Sequence, residues 1–424
     1  MSTTRLRVLR LSQLGEGIAE HDGRAVFVPG TFPGDEIEAT LSEQGRVLRG
    51  TVTALLTPAP DRRPSPCDVA ECCGGFEWLE LNETAQRSAK QEIVLSTLEH
   101  LGGISRESLE VRELLAGRAL GSRRRAVLHF TREGLGLFER GSHARRTVRR
   151  CPMLSDPLRD LPGRLGPLLK PLAKDGEEVH LLAEGDQVAF AVLLKGPVKP
   201  RHTEAVEAAL ASLRLRGAVI VPKEGSPVEL RKPVLRALSP LTPEVPLFLR
   251  PDAFAQANAE LNVGLVSAAV QQLAPTGADR VLELYSGNGN FTFPVAGVAH
   301  DVLAIEGAAV SVELARRSAR EGGVGNVRFV LDDVVRSVKN LIAEGETFGL
   351  LLADPPRTGA PGIGAWAQAL GVRRVVYVAC DPAALARDAK GLVTAGFRPT
   401  VLQIADMFPQ TRHVESVLSF ERAD

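Results

Sequence analysis

At 424 residues the chain has room for roughly three domains of about 150 residues, each able to bury a core of its own. Its 44% hydrophobic and 24% charged content is that of a water-soluble globular protein, and no apolar run approaches the ~18 residues that a membrane helix needs. The 51 basic and 51 acidic residues cancel, so net charge selects no partner, and M-S-T-T-R-L-R-V-L-R-L lacks the apolar region of a signal peptide. A cytoplasmic protein is expected, with no membrane association and no obligate protein partner evident. Five cysteines, an odd number without a secretion signal, argue against a disulfide framework and towards metal binding or catalysis.

The chain opens with short alternating segments, L-R-V-L-R-L, R-A-V-F-V-P-G, E-I-E-A-T-L and R-V-L-R-G-T-V-T-A-L-L, broken by Gly15-Glu16-Gly17 and Pro33-Gly34-Asp35. Five short strands here predict a small OB-like β-barrel over residues 1–58, a form that closes its own edges. Many such barrels bind nucleic acid and many only pack. A proline-rich linker, P-A-P-D-R-R-P-S-P, marks the boundary. Beyond it Cys67, Cys72 and Cys73 cluster, and Cys151 stands apart in R-R-C-P-M-L. Four thiols in this arrangement suit an iron–sulfur cluster or zinc, although adjacent Cys72 and Cys73 do not easily both reach one ion.

A helix is expected from Leu81 to about Leu101. Between Arg118 and Arg150 stand ten arginines against two acids, Glu133 and Glu139. Such a local excess reads either as a surface for phosphate backbones or as a solvated charged face. Apolar strands with one helix, Thr203 to Leu213, fill residues 160–245, so residues 59–246 read as a second, mostly β domain carrying the basic surface. From about Phe248 the pattern changes to strand and helix in alternation, starting with a helix over Ala255–Leu273. That alternation predicts an α/β fold with a doubly wound, mainly parallel, Rossmann-like sheet over residues 247–424.

Three motifs of this last region carry chemistry. L-E-L-Y-S-G-N-G-N-F-T, residues 282–292, reads as strand, glycine turn and helix start. Gly287 and Gly289 admit close backbone approach, and Glu306 ends the next strand, where a carboxylate accepts hydrogen bonds from two ribose hydroxyls. Thr292 replaces the third glycine of a dinucleotide fingerprint, which favours a nucleoside ligand such as S-adenosylmethionine over a pyrophosphate. Asp354-Pro355-Pro356-Arg357 ends another strand, with Arg357 where an amino-group methyltransferase would carry an aromatic ring. V-V-Y-V-A-C-D-P-A-A-L-A-R-D turns from strand to helix at Cys380. A buried cysteine often serves as a small hydrophobe, but at a strand's carboxyl end before a helix N-terminus it is placed as a nucleophile whose thiolate the helix favours. In T-R-H-V-E-S-V-L, His413 and Glu415 are expected on one face of a short strand, Glu415 being either an exposed strand residue or a general base.

With these residues in hand the sequence resembles the RNA 5-methyluridine methyltransferase family. F-A-Q-A-N, L-E-L-Y-S-G-N-G-N-F-T, A-D-P-P-R-T-G, V-Y-V-A-C-D-P-A-A-L-A-R-D and R-H-V-E-S carry the resemblance, which spans nearly the whole chain. It implies an N-terminal TRAM domain, a central RNA-binding domain and a methyltransferase domain. It further implies that Gln256, Tyr285, Gly287, Gly289, Glu306 and Asp354 line the S-adenosylmethionine site, that Cys380 is the nucleophile and that Glu415 is the base. The likeness is greatest to barrel-bearing members acting on 23S ribosomal RNA. Ribosomal RNA is therefore expected ahead of transfer RNA as the structured RNA partner. A non-catalytic RNA-binding protein and a cytosine-C5 methyltransferase are the rival readings. Two departures stand out. Family members with a [4Fe-4S] cluster carry C-x5-C-G-G-C and a distant cysteine. Here Cys67, Cys73 and Cys151 match, Phe76 stands at the third ligand's place, and either Cys72 substitutes or the cluster is lost. Asp381 replaces the common Asn and adds a negative charge that raises the thiol's pKa.

Overall fold

A computed structural model of the chain describes residues 3–70 and 73–423; Cys72 lies outside the described residues. Strands β1 (Thr3–Arg7), β2 (Arg10–Leu11), β3 (Gly17–His21), β4 (Arg24–Val28), β5 (Glu36–Gln44) and β6 (Val47–Thr57) form one sheet ordered β1-β5-β6-β4-β3-β2. Because β1 and β2 adjoin in sequence, the sheet begins and ends on one stretch of chain and curls round Leu6, Val8, Val26, Val28, Ile37 and Leu48. The expected five strands become six because the chain bends at Val8 and Leu9, whose amides donate to the Asp35 and Ile18 carbonyls at 2.9 and 2.8 Å. The linker is pinned rather than free. Arg62 donates to both oxygens of the fully buried Asp35 at 2.8 Å, and Arg63 donates to Glu83 at 2.6 Å.

Helix α1 (Glu83–His100) starts where the Asn82 side chain accepts from the Ala85 amide at 2.9 Å. It is followed by β7 (Glu110–Val111) and then by β8 (Arg125–Phe130), β9 (Leu135–Phe138) and β10 (Arg145–Thr147). After α2 (Asp156–Arg159) and α3 (Leu161–Leu168) come β11 (Gly176–Glu184), β12 (Gln187–Leu194), α4 (Pro200–Leu213), β13 (Gly217–Val221) and β14 (Val228–Arg231). These strands make a seven-stranded sheet, β10-β9-β8-β11-β12-β13-β14. The pair β15 (Leu235–Ser239) and β16 (Thr242–Leu249) leads out of it. The arginine-rich stretch does not form one patch. Arg118, Arg132, Arg140, Arg145, Arg146, Arg149 and Arg150 are exposed, whereas Arg123, Arg124 and Arg125 turn inward at the start of β8. Arg124 is 8% exposed and pairs with Glu184 at 2.5 Å.

The C-terminal part alternates as expected: α5 (Ala259–Leu273), β17 (Arg280–Leu284), α6 (Thr292–Ala296), β18 (Asp301–Glu306), α7 (Ala309–Glu321), β19 (Val327–Leu331), α8 (Val334–Ala343), β20 (Leu350–Ala353), α9 (Ile363–Ala369), β21 (Arg374–Ala379), α10 (Pro382–Thr394), β22 (Phe397–Ala405) and β23 (Glu415–Arg422). The sheet runs β19-β18-β17-β20-β21-β23-β22-β7. Its first five strands are parallel, and β23 inserts antiparallel between β21 and β22. The sequence order reverses beside β17, the switch point where open α/β sheets bind ligands. Packing crosses the boundary expected at residue 246. Val94, Leu95 and Leu98 of α1 share the core of α9 and α10, and β7 adds a parallel strand beside β22. Periodicity had no means of revealing this, since the buried face of α1 mixes Gln86, Lys90 and Thr97 with Ile93, Val94, Leu95 and Leu98.

Trp78 joins three regions. It is fully buried, its indole nitrogen donates to the Gly15 carbonyl of the barrel at 3.1 Å, and its amide donates to Gln410 beyond β22 at 3.1 Å. Trp78→Ala is expected to cost about 3–5 kcal/mol and to free the barrel for proteolysis before the rest unfolds. Limited proteolysis with denaturant titration checks this, and simultaneous loss of both parts would contradict it.

Candidate active site

The pocket is assembled from strand ends. After β17 the chain turns through Tyr285 at φ +62°, a left-handed conformation uncommon for an aromatic residue, then through Gly287 and Gly289 at φ +58° and +95°. A Cβ on Gly287 would meet nothing within 4 Å, so the turn is open there for a ligand to approach, whereas at Gly289 a Cβ would strike the Phe293 ring at 2.4 Å. Glu306 ends β18 beside the turn. One of its oxygens accepts from the Gly287 amide at 2.9 Å and the other from the Ala308 amide at 2.7 Å. The carboxylate is thereby oriented, with lone pairs left for ribose hydroxyls. Gln256 lies in an irregular stretch, because α5 begins at Ala259 under the Asn258 cap rather than at Ala255. Its carbonyl accepts from Arg124 Nε at 2.9 Å, which ties this loop to the central sheet.

An acid that the sequence reading passed over stands beneath the turn. Glu283 is 1% exposed, and among the described residues neither carboxylate oxygen has a hydrogen bond of ordinary geometry. Desolvation, with repulsion from Asp354 and Glu306, pushes its carboxyl up to about 8, although the nearby Thr292 hydroxyl partly offsets the rise. Asp354, just past β20, is pushed up to about 7 by burial and then by Glu306. The available signal was an acid between Leu282 and Leu284 inside an apolar strand.

Cys380 follows β21 directly and Glu415 opens β23. The antiparallel register ends at Ala379 paired with Ser416, which leaves Cys380 and Glu415 as the adjoining residues of the two chains, and Glu415 is the charge that acts most strongly on the thiol. The Asp381 carboxylate caps α10 by accepting from the Ala384 amide at 2.8 Å. The expected thiolate is not favoured in this environment. Burial first, then Glu415 and Asp354, push the Cys380 thiol up to about 12, with Asp381 adding to the rise and Arg357 opposing it. Glu415, 5% exposed, is raised well above the ordinary carboxyl range by burial and by Asp354, again opposed by Arg357. The exposed Arg357, noted in the sequence only for the aromatic ring it replaces, is thus the cation that acts on both groups. His413 lies in the loop before β23, not on a strand face with Glu415. Burial and the cations Arg357, Arg412, Arg123 and Lys90 hold its imidazole down to about 3, so it is neutral at physiological pH.

The distant cysteines do come together. Cys67, Cys73 and Cys151 border one cavity lined otherwise by Val69, Phe76, Leu137, Val148 and Met153. Among the described residues no set of three or more His, Cys, Asp or Glu side chains converges on a point that would hold a single metal ion, as tetrahedral zinc would require. Phe76, at the place of a family ligand, is buried beneath the Arg123 guanidinium at 4.6 Å. Among the described residues, one nitrogen of that guanidinium has no hydrogen-bond partner. Its charge is felt by the Cys73 and Cys151 thiols.

A family model described as tRNA (Uracil-5-)-methyltransferase matches residues 204–423. The 23S rRNA (uracil(1939)-C(5))-methyltransferase RlmD of Pseudomonas putida is 35% identical, over 98% of this chain and 93% of its own. The protein of the same description from Alkalilimnicola ehrlichii is 34% identical, over 98% and 96%. Among solved structures, the Pyrococcus abyssi tRNA (uracil-54, C5)-methyltransferase in complex with S-adenosyl-L-homocysteine aligns over 98% of this chain and all of that one, with TM-score 0.72 and 21% identity, which speaks for the fold.

The raised carboxyls set a pH dependence. Unfolded, Glu283 and Asp354 release their protons near 4.5 and 3.8, whereas folded they hold them to about 8 and 7. The native state therefore binds more protons between these limits, and the stability these groups contribute, full below about pH 4, is lost as pH rises through 7 to 8. The ligand-free protein's melting temperature should fall across that window, and Glu283→Gln should flatten the decline. A Glu283→Gln profile parallel to wild type would refute the assignment.

Proposed function

The chain belongs to the tRNA (uracil-5-)-methyltransferase family, and on that footing we propose that it methylates C5 of a uridine in 23S ribosomal RNA through a covalent Cys380 adduct. The observation that carries the chemistry is that the β21–β23 register ends beside both Cys380 and Glu415, whose carboxyl acts on the thiol together with Asp354 and Arg357. Ribosomal RNA is favoured over transfer RNA because the full-length relatives at 34–35% identity are named for 23S rRNA.

S-adenosylmethionine, when bound, supplies an electrophilic methyl group. Gln256, Tyr285, Gly287, Gly289, Glu306 and Asp354 hold it, and Glu283 joins them, since a desolvated acidic pocket favours a cationic ligand. Uracil C5 is too weakly nucleophilic to take the methyl unaided. Cys380 gives its proton to solvent and adds through Sγ to C6, and the electron pair of the C5–C6 double bond becomes available at C5. Once C5 carries the methyl, Glu415, which must first have released its own proton to solvent, takes the C5 proton as a carboxylate, the C5–C6 double bond re-forms and the Sγ–C6 bond breaks. Arg357 opposes the negative charge that develops beside Cys380. The target uridine must leave the base stack for these atoms to reach it.

We assign residues 1–58 as a TRAM-like barrel, 59–246 as the RNA-binding domain and 247–424 as the methyltransferase domain, with α1 and β7 lent to the last. The exposed arginines from Arg132 to Arg150 provide a surface for the RNA backbone. Cys67, Cys73 and Cys151 would hold an iron–sulfur cluster if Cys72 replaces the ligand that Phe76 displaces; otherwise the cluster is lost. No described helix is long and apolar enough to cross a membrane, and we read the protein as cytoplasmic.

Incubation with labelled S-adenosylmethionine and RNA from a strain lacking the gene, followed by nucleoside mass spectrometry, tests the reaction. 5-Methyluridine should form, and Cys380→Ala should lower the rate on the order of 10⁴-fold or more. 5-Methylcytidine would establish the cytosine reading instead, and bound RNA without any methylation would establish the non-catalytic one. For the cluster, anaerobically purified protein should carry iron and visible absorbance that Cys151→Ser removes. Iron-free wild type under those conditions would show that the site has been lost.

A further inference from the structure

Glu415 opens β23 at the C-terminal end of a loop. The loop, residues 406–414, joins β22 to β23, and its mouth is closed by Glu415 itself, which pairs with Ala405. It contains no regular structure, and Gln410 takes a left-handed φ of +69°. Such a segment needs external anchors to hold one conformation.

Many of those anchors come from residues 63–115, far away in sequence. Lys90 of α1, fully buried, donates to Asp406 Oδ1 at 2.5 Å and to the Phe408 carbonyl at 2.9 Å. Its ammonium lies 5.8 Å from the centre of the Trp78 ring. One turn earlier on the helix, Gln86 accepts from the Gln410 amide at 2.8 Å and donates to the Gln410 side chain at 2.9 Å. The Asp406 amide donates to the Leu115 carbonyl at 2.8 Å, and Arg412 faces Glu77 at 3.4 Å. Phe408 meets the His413 ring edge-on at 6.1 Å, which carries the constraint to within two residues of Glu415.

A buried ion pair is an expensive way to add stability, because apolar side chains of similar volume commonly do as well. What the pair supplies and apolar contact does not is direction. The ammonium grips two oxygens two residues apart, and so fixes the backbone at the first turn of the loop, directly after the residue that pairs with Glu415.

We propose that Lys90 is a positioning residue for proton abstraction, holding through Asp406 and the Phe408 carbonyl the loop that sets the Glu415 carboxyl against its target. This rests on the reading of Glu415 as the base. It means that a residue of the N-terminal half determines the last chemical step carried out in the C-terminal half.

The step affected leaves a signature. When C5 has been methylated but its proton is not removed, the Cys380 Sγ–C6 bond persists, and enzyme and RNA migrate together on a denaturing gel. The experiment uses the full chain with RNA and S-adenosylmethionine and compares Glu415→Gln, Asp406→Asn and the double variant Lys90→Met with Asp406→Leu. The double variant removes both charges together, leaves neither one buried alone, and should melt near wild type. We expect its kcat to fall about 100-fold, as a misplacement of about 1 Å costs, with KM for RNA unchanged and the methylated adduct accumulating as in Glu415→Gln. Asp406→Asn, which keeps the side chain's size and an acceptor, should show the same signature more weakly and guards against a folding failure in the double variant. Wild-type turnover without adduct in either folded variant, while Glu415→Gln accumulates adduct, would overturn the role of Lys90 alone. Absence of adduct in Glu415→Gln would overturn both the base and the residue that positions it.

Discussion

Carboxyl groups from four strands converge with a thiol in a site where Glu283 and Glu415 are buried and the others half-buried. Glu283, Glu306, Asp354 and Glu415 come from β17, β18, the end of β20 and the start of β23, and Cys380 sits among them at the end of β21. Parallel strands bring their carboxyl ends to one edge, and the antiparallel β23 delivers its first residue to that same edge. Repulsion and desolvation keep Asp354, Glu283, Glu415 and Cys380 protonated well above their ordinary ranges. The pocket is consequently strained towards a cationic ligand, and a sulfonium group is the kind of charge that would relieve it.

This constraint explains the surrounding architecture. Arg357 remains exposed on the D-P-P-R turn yet acts on both Cys380 and Glu415. His413, surrounded by four cations, is kept neutral. The loop that ends at Glu415 is closed off by α1, Trp78 and the linker arginine Arg63, which donates to Gln410 at 2.9 Å. Arg123 joins the two non-contiguous halves from another side, stacking on Phe76 at the thiol cavity and, at 5.3 Å, on Phe408 of the same loop. The N-terminal half thus forms one wall around the loop of residues 406–414.

Much of this was legible in the residues. The alternation of strand and helix after Phe248, the glycine turn, the strand-ending Cys380 and the carboxylate of Glu306 each depend on local patterns of period, turn chemistry and spacing, and local patterns survive in a linear string. The barrel and the helix over residues 81–101 were legible for the same reason. Glu283 was not, because an acid inside an apolar strand looks like a lapse in the pattern until the fold shows it buried beside Asp354 and Glu306.

Other properties were settled only by tertiary structure. The sequence placed Cys380 before a helix start, from which a favoured thiolate follows, but the sign of its shift depends on Glu415 and Asp354, which are near in space and distant along the chain. The ten arginines divided into exposed and inward sets according to which of them the start of β8 turned into the core. Helix α1 was legible as a helix but not its partner, and only folding joined Lys90 to Asp406, 316 residues away. By itself the sequence determined the kinds of groups present and their local backbone, since those depend on neighbours in the chain. Only the tertiary structure decided which charges face one another, because electrostatic energy in a desolvated pocket depends on distance through space and on the water excluded from it.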